Sequence, residues 1–239
     1  MKLTSAITLT ISMWVLSSWG WGITQAAEPS LGSSFKEWCQ QQANLSAERR
    51  KTVEVLLEEV GTSDCELAAQ NLSSRTELSL PEAPITDLSP LAGLTNLKEL
   101  FLNLNEITDI SPLARLTNLE KLGITGNQIT DVTPLVGLTN LTELYLQNNE
   151  ITDVSPLAGL INLKDLRLNN NQITDVSPLA RLTNLWVLYL SYNQITDISP
   201  LAELTNLRLL NLTGNPIAEL TCPVFPPTVC DFEKSPWVP

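Results

Sequence analysis

Six aspartates stand at one fixed spacing. Asp87, Asp109, Asp131, Asp153, Asp175 and Asp197 each follow an Ile-Thr pair, 22 residues apart. A stripe of carboxylates could hold calcium, a hard cation that takes oxygen ligands. The competing chemistry is local: an Asp at the start of a turn accepts backbone N–H bonds from the residues just after it. A residue unchanged in every copy suits a geometric task, so the turn role is the expected one and no metal or cofactor is expected. Histidine is absent from the 239 residues. That removes the commonest general base and metal ligand together, and with them any Ser-His-Asp or Cys-His site. Paired carboxylates are the one hydrolytic chemistry left open.

The four cysteines fall outside the periodic stretch, Cys39 and Cys65 before it and Cys222 and Cys230 after it. An even count in an exported chain points to disulfides. The local pairing, Cys39–Cys65 and Cys222–Cys230, staples each end, whereas either other pairing would bridge opposite ends of an elongated array. A zinc site is the rival, but it lacks both histidine and a C-x-x-C pair. Export is read from the N-terminus. Lys2, an uncharged run from Leu3 to Leu16 and small residues at Ala26 and Ala27 have the layout of a secretory signal peptide over 1–27. An uncleaved anchor is the alternative. The expected address is secreted or periplasmic, with no membrane insertion of the mature chain.

Composition narrows the partners. Hydrophobic residues make up 43% and charged residues 17%, the balance of a folded chain. With 14 Lys+Arg against 26 Asp+Glu the net charge is −12. Such a chain repels phosphate backbones, so nucleic acid and anionic membranes are excluded as expected partners.

The elements that would position these residues come from repetition. LTNLKELFLNLNEITDISPLAR from Leu94, LTNLEKLGITGNQITDVTPLVG from Leu116 and LTNLTELYLQNNEITDVSPLAG from Leu138 are followed by copies at Leu160, Leu182 and Leu204, with a degenerate first copy at Leu72. The signature L-x-x-L-x-L-x-x-N-x-I recurs without insertion, as at Leu97, Leu100, Leu102, Asn105 and Ile107. This is the leucine-rich-repeat pattern. Its alternating x-L-x-L-x stretch reads as a short strand buried on one face. One copy cannot bury its own leucines, but stacked copies can. The returning Ser-Pro-Leu segment is too short for a long helix and predicts a 3₁₀ turn. The fold class expected is α/β: a leucine-rich-repeat solenoid with a curved parallel sheet of seven strands, a convex side of 3₁₀ turns and loops, and a helical N-terminal cap. Asn105, Asn127, Asn149, Asn171, Asn193 and Asn215 are expected to form a buried ladder serving loop backbone.

The consensus resembles the 22-residue repeats of internalin-type bacterial proteins, over about Leu72 to Ile217. That resemblance implies a protein-binding sheet face on a secreted or surface-attached protein. The flanks show neither a wall-sorting sequence nor an immunoglobulin-like domain, so the internalins' own partners are not implied.

The expected division is a signal peptide over 1–27, a disulfide-stapled helical cap over 28–71, seven repeats over 72–217, and a disulfide-closed cap and tail over 218–239. In the front cap, Ser46 opens and Gly61 closes one helix. Ser63 with Glu66 reads as the capping box of another.

Variable strand positions would face the concave side. Phe101, Tyr145, Arg167, Trp186, Tyr189 and Tyr192 fall there, with Lys98, Lys164 and Asp165 beside them, although aromatics are only 5% of the chain. Exposed Tyr, Trp and Arg dominate interface energies. The bland alternative is drift at unconstrained positions. The expected function is protein binding by a monomer. A glycan or cell-envelope binder and a structural repeat protein without a ligand are the alternatives. Enzymatic activity is not expected, because a smooth curved sheet offers no convergent pocket.

Overall fold

Each copy carries a leucine face it cannot hide alone, and stacking hides it. The computed structural model describes Gly32 and residues 34–232, so the expected signal peptide lies outside the described residues. Eight strands pair in parallel in sequence order: β1 Glu77–Ser79, β2 Glu99–Phe101, β3 Lys121–Gly123, β4 Glu143–Tyr145, β5 Asp165–Arg167, β6 Val187–Tyr189, β7 Leu209–Asn211 and β8 Cys230–Asp231. From β1 to β7 the register steps by one whole copy, so Leu100 faces Leu122 and Leu144 faces Leu166. These leucines are fully buried, as are the returning Leu113, Leu135, Leu157, Leu179 and Leu201. At roughly 1.5–3 kcal/mol for each buried aliphatic side chain, this shared core is what holds the stack together.

The return segments are 3₁₀ turns, among them Ser111–Arg115, Thr133–Leu135 and Ser155–Gly159, each with proline in its first turn. Proline is tolerated there because its missing N–H would find no partner in any case. The aspartate before each turn does the capping. Asp109, Asp131, Asp153, Asp175 and Asp197 accept the N–H two residues on at 2.8–2.9 Å. This bond accounts for the invariance of the column.

Three helices close the front: α1 Phe35–Gln40, α2 Ala47–Val60 and α3 Cys65–Ser74. Ser46 Oγ accepts from Arg49 N–H at the start of α2, and Gly61 ends it in the left-handed conformation at φ 69°. The start of α3 departs from expectation: the cap is Asp64, not Ser63, and one oxygen of Asp64 accepts from the N–H groups of Glu66 and Leu67. The Cys39–Cys65 bond joins α1 to α3. Thr52 Oγ1 donates to Asp87 O at 2.7 Å and Arg49 pairs with Asp87 at 2.9 Å, which docks α2 on the first repeat.

The far end corrects the expected strand count. The proline-rich segment closed by Cys222–Cys230 buries Val224 and Val229 and then adds β8 to the sheet. Leu212 N–H bonds Asp231 O at 2.8 Å, so backbone groups that would have been left at the open edge of β7 are paired.

Candidate binding face

Two asparagine ladders hold the face in shape. In the buried one, each Oδ1 accepts an isoleucine N–H from the copy before, as Asn149 does from Ile129 at 3.0 Å, while Nδ2 donates to Ile124 O and Leu146 O. The other was not foreseen. Asn96, Asn118, Asn140, Asn162, Asn184 and Asn206 each donate Nδ2 to a backbone carbonyl 23 residues back, at 2.7–2.9 Å. The signal was present as the Asn of every LTNL or INL. The two ladders fix both margins of the strands and so the spacing of every residue between them.

Tyr145, Arg167 and Tyr189 occupy one register position on β4, β5 and β6. The Arg167 guanidinium lies between the two rings, 4.9 Å from the Tyr145 centroid and 5.3 Å from that of Tyr189. Asp165 takes its fork at 2.9 and 3.1 Å, which holds the guanidinium more firmly charged than usual. Tyr145 donates its hydroxyl to Glu143. Burial, aided by that bond, pushes its ionisation well above the ordinary tyrosine range and keeps it a neutral donor.

Trp186, just ahead of β6, is 44% exposed. Lys164 Nζ stands 5.4 Å and Arg208 Cζ 4.9 Å from its ring centroid. Lys98 and Phe101 lie towards the front, away from this group. Lys98 pairs with Glu120 at 2.8 Å, a bond that raises its pKa. Lys121 sits between Glu99 at 3.2 Å and Glu143 at 3.7 Å, and its pKa is raised by both. Phe101 lies over Gly123, where a Cβ would come within 2.6 Å of its ring.

Tyr192 lies at the turn off β6 with φ 55°, and Leu104 has the same turn position and φ 56°. Other copies place Asn148, Gly126, Asn170 and Gly214 there, residue types that tolerate this conformation. Leu104 and Tyr192 are bulky exceptions, 55% and 36% exposed, each leaning over the glycine of the next copy. Beside Tyr189 and Tyr192 an open depression of about 510 Å³ is floored by Asn169, Ser191 and Asn211.

The fold and this face define a class before any comparison: a capped repeat solenoid presenting one continuous side-chain surface. Leucine-rich repeats taken two at a time match residues 76–115, 95–137, 117–159, 139–181 and 183–223. A crystal structure of internalin C2 from Listeria monocytogenes is similar at 36% identity and TM-score 0.58, over 74% of this chain and 88% of that one. Internalin F from the same organism gives 37% identity and TM-score 0.56 over 72% of this chain, which spans 58% of internalin F. The ectodomain of an Arabidopsis thaliana receptor kinase, in complex with Casparian strip integrity factor 2, gives 25% identity and TM-score 0.51 over 59% of this chain and 21% of that one. No curated protein sequence matches. The chain belongs to the internalin-type leucine-rich-repeat proteins. Their fold is commonly used for protein–protein binding, and such proteins are typically binders rather than enzymes. Among the described residues no helix is long and apolar enough to cross a membrane.

Proposed function

We propose that the protein is an exported binding protein that engages a protein ligand on the concave face of β4–β7. The observation carrying this reading is the ordered group of aromatics and cations around Tyr145, Arg167, Trp186 and Tyr189, none of which is needed to fill the leucine core. Aromatic and arginine side chains held in place before binding lose little entropy when a partner arrives. Eight strands at about 4.8 Å give roughly 34 Å along the stack, room for a standard interface of about 800 Å² per partner. Export is supported by the two disulfides and by the composition of residues 1–27.

The aromatic faces also favour a protein over a glycan. Sugar stacking needs an open ring face, whereas Tyr145 and Tyr189 hold Arg167 and Trp186 holds Lys164 and Arg208. The test is affinity capture on the exported form, then alanine replacement of Tyr145, Trp186 and Tyr189. Each replacement is expected to weaken partner binding by about 1–4 kcal/mol with little change in thermal midpoint. Leu144→Ala, fully buried, is expected to do the reverse and destabilise the fold by about 2–5 kcal/mol. A captured protein that binds the triple alanine variant as tightly as the parent would remove the concave face from consideration.

A further inference from the structure

The cations of the concave face fall into two groups. Lys98, Lys121 and Arg167 are each neutralised within the face, by Glu120, by Glu99 with Glu143, and by Asp165. Lys164 and Arg208 are different. Their side chains lie over the Trp186 ring, and among the described residues neither has a carboxylate within ion-pair distance. A ring quadrupole orients a cation without cancelling its charge, and an Arg stacked on a ring keeps the edge of its fork open to a bidentate acceptor.

The surroundings strengthen the contrast. In the register position beside this row the residues run Glu99, Lys121, Glu143 and Asp165, then change to Val187 and Leu209. At β6 and β7 this position is therefore apolar, beside two positive charges with no carboxylate partner, in a chain of net charge −12. Positions 164 and 208 lie two strand spacings apart, roughly 10 Å, with Trp186 between them.

Resting on the binding function above, we propose that Lys164, Trp186 and Arg208 form an acid-recognition subsite, and that the partner is a protein segment carrying carboxylates beside an apolar residue. One carboxylate pairs with the Arg208 fork and a second meets Lys164. The apolar residue packs against Val187 and Leu209. The internally paired cations nearer the front contribute little, since each would have to exchange one carboxylate for another.

The test is selection of short random peptides on the immobilised, disulfide-intact protein, with a sulfated oligosaccharide run in parallel. Retained peptides are expected to be enriched in Asp and Glu. Their affinity should fall roughly ten-fold or more in Lys164→Gln/Arg208→Gln, fall as ionic strength rises, and hold in Lys51→Gln, an exposed lysine of α2 outside the face. Retained peptides that lose affinity in Tyr189→Ala, but are not acidic or are indifferent to the double variant, would overturn this subsite and leave the protein-binding function standing. Retention of the sulfated oligosaccharide through Lys164 and Arg208, with no peptide retained, would overturn both. Retention of neither ligand by the parent would overturn the subsite.

Discussion

The buried asparagine ladder makes an unequal demand on its members, and that inequality can be measured. In the middle of the array, Asn149→Ala removes the acceptor of the Ile129 N–H at 3.0 Å. The three carbonyls it served each keep another donor, Ile124 O from Asn127 at 3.2 Å, Leu146 O from Asn171 at 3.0 Å and Gln147 O from the Gly126 N–H at 3.0 Å. One buried N–H is orphaned. At about 1–3 kcal/mol for an unsatisfied buried group, with the loss of the redundant bonds added, the cost is about 2–3 kcal/mol. Asn105 stands at the first rung. Its Oδ1 accepts from both Ala83 and Ile85 N–H, at 3.0 and 3.1 Å, and its Nδ2 donates to the buried Leu80 O. Its other two carbonyls keep a donor, Leu102 O from Asn127 at 3.1 Å and Asn103 O from the Glu82 N–H at 3.0 Å. Asn105→Ala therefore leaves two buried groups and one half-buried group without partners, a cost of about 3–6 kcal/mol. Urea unfolding of the disulfide-intact protein, followed by circular dichroism, gives both values on one scale. A loss at Asn105 no larger than that at Asn149, or a loss below about 1 kcal/mol at both, would refute the sharing of carbonyls between rungs.

Three further outcomes follow from the same geometry. Hydrogen bonds lower the carboxyl pKa of Asp131, first from the Thr133 side chain, and those of Asp153 and Asp197, first from the Ser155 and Ser199 N–H. A pKa depressed by folding gives stability that is present above the unfolded value of about 3.9 and lost as pH falls through the folded one. Thermal midpoints should thus drop as pH is taken below about 4, and less steeply in Asp153→Asn. Leu104→Asn, matching Asn148 and Asn170, should raise stability by up to about 1 kcal/mol by relieving a left-handed leucine, and differential scanning calorimetry reads the change. Calcium at millimolar levels should leave the thermal midpoint unchanged, because the aspartate column is engaged by backbone; a strong rise would show that the carboxylates bind the ion.

Much of the architecture was legible because it is periodic. Leu100, Leu122 and Leu144 recur at one spacing with polar neighbours, and no arrangement but a stacked parallel sheet buries them all. What escaped the sequence lacked a period or was ambiguous by one residue. Strand β8 is two residues long and shows no alternation, so nothing marked Cys230–Asp231 as the eighth rung. Ser63 and Asp64 are both good caps, and only the backbone path decides between them. The Asn96 ladder was periodic yet unread, because an exposed asparagine looks like ordinary surface until the carbonyl beneath it is seen. On the concave face the sequence singled out residue types but not their mutual occupation. Arg167 is held by Asp165 two positions away on its own strand and by tyrosines 22 positions to either side, and the tyrosine contacts exist only once the strands are in register.

The constant register has a consequence for how such a molecule changes over generations. The bonds between rungs join positions at fixed separations close to one copy, 22 residues in the strand register and 20, 23 or 25 in the ladders, so no rung is tied to its ordinal place in the stack. Excising residues 138–159, one 22-residue unit, would bring Leu160 to the place of Leu138 with both ladders and the core closed again. Unequal recombination between near-identical stretches of coding sequence can therefore lengthen or shorten the array in whole units while the two stapled ends stay as they are. The number of copies is free to drift, and reach and curvature drift with it, independently of the point substitutions that set what the face recognises.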